Sequence, residues 1–235
     1  LELSQNSSEE PSHKKIFLGD AAKSSEETRS QSGNFYSCPW EKLDEMGFFQ
    51  GLLLTLKQSL FEPTHFFRRL PRNGGWLNPI LYGILIGTLG NLGGYLLGTL
   101  MEIPWVSQGK WSQGFTLFFG LLMPFLVLVG IMLWTILLHG SLFLFGARKE
   151  PFEATLRIVS YASGPEIFNV LPGVGWLVAM IWKMIMTIIG VREIQGVSTG
   201  RALAAVLFPV IVLWGVFFAG ILAIIAFGAF LLGSM

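Results

Sequence analysis

Three stretches without a single Asp, Glu, Lys or Arg, residues 73–101, 111–147 and 202–235, decide most of what this chain can become. Each is longer than the roughly 20 apolar residues that carry a helix across a hydrocarbon core of about 30 Å. With no water to bond, a backbone at that depth must satisfy its own N–H and C=O groups, and a helix does so within one segment. The sequence therefore predicts an all-α, polytopic membrane helix bundle whose first partner is the lipid bilayer. Composition agrees: 52% of the 235 residues are hydrophobic and 13% are charged, against about 25% charged in soluble domains, and the mean hydropathy is +0.58.

Charge is also unevenly placed, since residues 1–75 hold 19 of the 31 acidic and basic side chains. A formal net charge of +1 without an arginine-rich stretch leaves no electrostatic footprint for nucleic acid. One cysteine, Cys38, excludes an internal disulfide. With His13, His65 and His139 scattered, it builds no four-ligand zinc site, and neither a metal nor a cofactor is expected.

The polar arm has two parts. Residues 1–35 are rich in Ser, Glu, Lys and Gln, too poor in apolar area to offset the entropy of ordering, and read as a disordered tail. They hold no apolar core of a signal peptide, residue 1 is treated as an arbitrary cut, and the sequon at Asn6 falls on the wrong side of the membrane for use. Residues 36–75 form a cytoplasmic juxtamembrane segment. Within it, 47–61 places Phe49, Leu52, Leu53, Leu56 and Leu60 at helical spacing opposite Gln50, Lys57 and Gln58. Too short to span, it suits an amphipathic helix lying in the interface, or one packed on the bundle. After Pro63, the arginines Arg68, Arg69 and Arg72 beside Phe66 and Phe67 suit a membrane surface with anionic headgroups.

The transmembrane domain occupies 76–235, with spans at about 77–100, 115–145, 152–170, 174–191 and 202–233. The stretch 152–191 is the hard part, because it is apolar yet carries Glu153, Arg157, Glu166 and Lys183. It divides at Pro172 to Gly175, and Gly164-Pro165 makes its first arm a broken or re-entrant half-helix. Lys57, Arg68, Arg69 and Arg72 precede the first span, Arg148 and Lys149 follow the second, and Arg192 and Arg201 follow the fourth. The opposite loops hold only Lys110, so five crossings put the amino end in the cytoplasm and the carboxyl end outside. A re-entrant 152–191 lowers the count to three without moving the termini.

Small residues mark close helix contacts: Gly83 and Gly87, then Gly90, Gly94 and Gly98 in the first span, and Gly215, Ala219, Ala223, Gly220 and Gly228 in the last. They pack either within one chain or as the face of a homo- or hetero-oligomer. Trp76, Trp105, Trp111 and Trp176 fall near the interfaces as belt anchors.

Charges at membrane depth are costly, about 2.5–3.5 kcal/mol at a helix centre, and each asks for a partner or a role. Glu153 and Arg157 stand i, i+4 with the acid first, the favourable order for a structural ion pair. Lys183 sits about 12 Å from the cytoplasmic end of its helix and is the strongest candidate for a functional charge. Glu166 and His139 are the other members of a candidate intramembrane polar site. Glu166 lies on the neighbouring helix toward the outer side, and His139 suits an interhelical hydrogen bond. No enzyme fits. The last aspartate is Asp44, ahead of the bundle; Ser163-Gly164 lacks the preceding glycine of a rhomboid-type motif; HExxH and a phosphate loop are absent.

Together, Cys38-Pro39-Trp40-Glu41, Pro63-x-x-Phe66-Phe67, Leu138-His139, Gly146, Phe152, Thr155-Leu156-Arg157, Tyr161-Ala162, Pro165, Pro172-x-x-Gly175, Ile189-Gly190 and Arg201-Ala202 follow one order. In that order and spacing the chain, from residue 38 to about 232, resembles the Yip domain family, the Ypt-interacting-protein membrane proteins, and its bacterial-type members through the Cys-Pro-Trp-Glu signature. The resemblance implies five spans, a cytoplasmic amino end and no catalytic motif. It implies residence in a bacterial cytoplasmic membrane, or in a secretory-pathway membrane for a eukaryotic chain. Eukaryotic members engage prenylated small GTPases and partner Yip proteins through cytoplasmic ends. The expectation is thus a non-enzymatic bundle that organises membrane or recruits a cytoplasmic protein partner. The alternative is a small transporter or lipid-translocating protein with a polar path through 152–191.

Overall fold

The computed structural model describes residues 38–101 and 113–233. The expected tail 1–35, the sequon, Trp105, Lys110 and Trp111 lie outside the described residues. Among those described, every regular element is helical. A 3-10 turn at Pro39–Glu41 leads into α1 (Leu43–Met46), α2 (Phe48–Phe61), α3 (Pro63–Arg69), α4 (Leu77–Leu100) and α5 (Gln113–Leu144). Then come α6 (Phe152–Tyr161), a 3-10 segment (Gly164–Val170), α7 (Gly175–Gln195) and α8 (Thr199–Gly233).

Among the described residues, three helices are long and apolar enough to cross a membrane, over Leu77–Leu100, Gly120–Leu144 and Thr199–Phe227. They correspond to the three charge-free runs. Helix α7, with 21 residues, is about 31 Å long but carries Lys183, Arg192 and Glu193. Residues 152–170 do not form one helix. Helix α6 has 10 residues, about 15 Å or half a hydrocarbon core. It stops at Tyr161 because the ring of Pro165 excludes the helical hydrogen bond to the carbonyl four residues back. The same residue type has the opposite outcome at Pro124 and Pro209, which sit inside α5 and α8. There no Gly-Pro pair follows a buried polar turn, and long apolar neighbours keep the helix going.

The core gathers where α2, α3, α4, α6 and α7 meet. Phe66 stacks edge-on to Phe67 and Tyr161 at centroid distances of 5.3 and 5.4 Å, and Tyr161 lies 5.2 Å from Tyr82. Trp40 closes the cluster 6.1 Å from Tyr82. Buried rings of this size supply the largest apolar areas in a core and prefer these tilted contacts. Helix α2 lies against this core with Gly51, Leu52, Thr55, Ser59 and Leu60 buried. Its expected apolar face is split: Leu52 and Leu60 pack inward, while Phe49 and Leu53 remain 76% and 62% exposed. Ser141 Oγ donates to Ala205 O at 2.6 Å and ties α5 to α8.

The first-span glycines are filled from within the chain. A Cβ at Gly83 would meet Ile131 at 2.7 Å, and one at Gly90 would meet the carbonyl carbon of Glu166 at 2.6 Å. One at Gly94 would meet the carbonyl carbon of Asn169 at 2.9 Å. Gly87 faces Val127 and the Glu166 carboxylate, and Gly98 is buried. Removing side chains here lets the 3-10 segment lie directly on the α4 backbone. In α8 the pattern reverses: an added Cβ at Gly215 or Gly220 meets nothing within 4 Å.

Candidate functional site

Three polar clusters lie in or beside this bundle, and the first is built by the Cys-Pro-Trp-Glu segment. Trp40 N donates to Thr55 Oγ1 at 2.9 Å and Trp40 Nε1 donates to Asn78 O at 2.8 Å, which pins the 3-10 turn across α2 and α4. Cys38 Sγ lies 3.4 Å from the same Thr55 hydroxyl. Burial is the main force that pushes its thiol up to about 11, so it stays protonated. The turn aims Glu41 at α6, where its carboxylate takes Arg157 Nη2 and, at 2.6 Å, the hydroxyl of Tyr161.

The expected Glu153–Arg157 pair is therefore corrected. Arg157 is fully buried and pairs with Glu41, with Nη1 donating to Gly75 O at 2.8 Å. Glu153 accepts instead from the backbone N–H groups of Gly74 and Gly75, at 2.9 and 2.8 Å. A buried guanidinium with five donors in a fixed fork needs more than one acceptor, and a backbone carbonyl beside a carboxylate supplies two directions at once. Glu153 and Arg157 do not hold each other; both grip Gly75. That residue adopts φ +86°, a conformation that favours glycine.

The second cluster brings Lys183 and Glu166 together as a direct ion pair, with Lys183 Nζ donating to Glu166 Oε1. The pair lines a cleft of about 470 Å³ with Asn91, Trp134, Thr187 and apolar residues of α5 and α7. Their side chains are 27% and 15% exposed, so the pair is not sealed. Around it, Asn91 Nδ2 donates to Gly87 O at 2.8 Å, Asn169 Nδ2 to Asn91 Oδ1 at 3.1 Å, and Thr187 Oγ1 to Lys183 O at 2.7 Å. The Asn169–Asn91 bond ties the broken segment to α4 and the Lys183–Glu166 pair ties it to α7, while the other two bonds lie within their own helices.

His139 is elsewhere. Its Nδ1 is 2.9 Å from Thr155 Oγ1, a bond from α5 to α6. Gln195 Nε2 donates to the same hydroxyl at 3.5 Å, and Gln195 Oε1 accepts from Lys149 N and Glu150 N at 2.8 Å each. This third cluster staples the loop after α5 to the end of α7. Of the three candidate polar residues, two meet and the histidine belongs to a different network.

The arginines after α2 are anchored rather than free. Arg68 Nε donates to Glu193 Oε2 at 2.9 Å, and Arg72 Nη1 to Glu150 Oε1 at 2.8 Å. Each carboxylate reduces the attraction that a lone guanidinium would offer an anionic headgroup. Hydrogen bonding from Arg68, aided by Arg192, lowers the Glu193 carboxyl below its ordinary range. Sequence reasoning missed Glu41, whose partner lies 116 residues away, beyond any local spacing rule. Its signal was present in the Cys-Pro-Trp-Glu turn, read only as a resemblance.

No metal-binding group of three or more His, Cys, Asp or Glu occurs among the described residues. The clusters do not assemble a nucleophile, base and oxyanion donors around one cavity. Comparison with curated proteins and with solved structures finds no match. The model of the Yip1 domain matches residues 57–222, which takes in the end of α2, the broken segment, the Lys183–Glu166 pair and most of α8. The match begins after the Glu41 turn, although that turn is tied into the matched region through Arg157. Helical in every regular element among the described residues, with three helices there able to cross a membrane, and matched over most of its length, the chain belongs to the Yip1 domain family.

Proposed function

We propose that the protein is a non-enzymatic membrane organiser of trafficking-like character that gathers a cytoplasmic protein partner on α2 and α3. The observation that carries this reading is the outer face of α2. Phe49, Leu53 and Phe61 are 76%, 62% and 76% exposed, while the opposite face is locked to the bundle by Thr55 and Ser59. An exposed apolar ridge beside the ion-paired Arg68 and Arg72 suits a docking partner at the membrane surface. The family as a whole consists of generally non-enzymatic membrane proteins.

The topology that goes with this role has five crossings, the amino end in the cytoplasm and the third crossing broken. Contacts between 152–170 and α4 support it. They climb from Glu153 at Gly75, just ahead of α4, to Asn169 at Gly94, and Leu77 to Gly94 is an advance of about 26 Å along α4 at 1.5 Å per residue, most of a hydrocarbon core. The basic loop residues other than Lys110 then fall on one side, in keeping with the positive-inside rule. The test is a photo-crosslinker at Leu53 of the full chain in native membranes. Adducts to lipid and to one discrete protein are expected; lipid adducts alone reject partner binding.

A second reading is favoured by the Lys183–Glu166 cleft: a small lipid-translocating protein or transporter whose path runs beside 152–191. Reconstituted liposomes carrying a labelled lipid and an entrapped solute test it. Movement above protein-free controls, lost in Lys183→Met, supports the path, and no movement from folded protein removes it.

A further inference from the structure

The Lys183–Glu166 pair is more than a neutralised charge. An ammonium carries three N–H donors, and among the described residues that of Lys183 meets one acceptor, Glu166. The remaining donors face a cleft of about 470 Å³ walled by α5 and α7. Its walls include Leu126 and Met180, apolar side chains of α5 and α7 that are 42% and 48% exposed, so with both helices in the bilayer the cleft is open to acyl chains. A polar pair at the end of an apolar, laterally open cleft fits an amphiphile whose headgroup enters and whose tails remain outside.

The charge pattern selects the headgroup. Lys183 and Glu166 sum to zero, so an anionic headgroup would leave an uncompensated charge in an apolar surrounding. A zwitterion adds none and gives each member a second counter-charge: phosphodiester oxygens accept from Lys183, and a cationic nitrogen faces Glu166. A primary ammonium donates N–H to that carboxylate; a trimethylated nitrogen has no N–H to give. Met123, Met180 and Met184 line the cleft, flexible side chains that adapt to mobile hydrocarbon.

From this we infer that the cleft binds a phospholipid with a phosphoethanolamine-type headgroup, phosphate on Lys183 and ammonium on Glu166. The inference deepens the second reading above but does not require transport. A protein that binds this lipid and moves none keeps the site and loses the path.

The experiment is native mass spectrometry of the full chain in mild detergent. The chain is incubated with equal amounts of phosphatidylethanolamine, phosphatidylglycerol and phosphatidylcholine of identical acyl chains. Retention of the ethanolamine lipid about tenfold above each of the others is expected. Two variants should abolish the excess. Lys183→Met removes the phosphate donor. Gly130→Leu fills the cleft and leaves the ion pair untouched; Gly130 lines the cleft, and a Cβ there meets nothing within 4 Å, so the variant remains decisive if Lys183→Met fails to fold. Equal retention of the three lipids, preference for the glycerol or choline lipid, or an excess that survives Gly130→Leu overturns the inference. So does a dimer, in place of lipid, that disappears with Gly130→Leu.

Discussion

Replacing Gly90 with alanine tests the proposition that the α4 glycines exist to seat the 3-10 segment. The new Cβ would lie 2.6 Å from the carbonyl carbon of Glu166 and 3.2 Å from Ile167 Cα. The Glu166 carbonyl oxygen is nearer still, and since an ordinary carbon–carbon contact is about 3.5 Å, the segment must retreat by at least about 0.9 Å. Its retreat is resisted by the Asn169–Asn91 bond and by the Lys183–Glu166 pair, and both obstructing atoms are backbone, which no rotamer change can clear. Overpacking of this kind costs about 1–3 kcal/mol and occasionally more. Because backbone atoms oppose the new methyl the upper end applies, and after the gain of about 1 kcal/mol from replacing a helical glycine the net loss is about 2 kcal/mol. For a chain of this size that corresponds to a fall of roughly 4–8 °C in Tm, read by thermal unfolding in detergent. Gly215→Ala supplies the control. It makes the same change in α8 where nothing lies within 4 Å, so only the helix-propensity gain applies and Tm should hold or rise. Equal stability of Gly90→Ala and the parent, or a larger loss at Gly215, refutes the assignment of the first stripe to packing within the chain.

Two further outcomes follow from the charge clusters. Glu41→Ala leaves the Arg157 guanidinium buried without its carboxylate and should cost about 3–5 kcal/mol; the double variant Glu41→Leu, Arg157→Met should recover much of the loss in the same melt, and no recovery would mean that the turn, not the charge, holds the cluster. The Arg68–Glu193 tie should follow pH with a definite sign. Because the folded Glu193 carboxyl is lowered chiefly by its bond from Arg68, its contribution is complete above the ordinary carboxyl value of about 4.3. It is lost as pH falls through the lower folded value. The Tm difference between the parent and Glu193→Gln should therefore be constant near neutrality and close below about pH 4; a difference unchanged into stronger acid contradicts the tie.

The membrane helices were legible because their signal is local. A charge-free run announces its own length, and Leu77–Leu100 and Gly120–Leu144 fall inside the runs that name them. The break at Gly164-Pro165 was legible for the same reason, since proline acts on the residue four before it. What resisted reading was pairing at a distance. Spacing along a helix pointed Arg157 to Glu153, four residues away, whereas the fold offered Glu41 from another part of the chain and gave Glu153 two backbone donors. A helical i, i+4 geometry ranks partners only when nothing better is brought in by tertiary structure. The Lys183–Glu166 pair, 17 residues apart, needed the reversal at Pro172 to Gly175 before the two could meet. The α2 face was half legible: periodicity found the apolar positions, but not that Thr55 and Ser59 would be turned inward to receive Cys38, Trp40 and Tyr82.

The clasp of Glu41 on Arg157 and Tyr161 also sets an order of events during synthesis. Glu41 leaves the ribosome 116 residues before Arg157 and 120 before Tyr161. At about 5–20 residues per second, the Cys-Pro-Trp-Glu turn waits roughly 6–24 s for its partners. Gly75 waits similarly for the grip of Glu153 and Arg157. The first membrane helix is thus made before its amino-terminal end is latched, and the latch closes only after α5 and α6 have been made. An early segment of the chain reports, by locking last, that the helices after it have arrived in place.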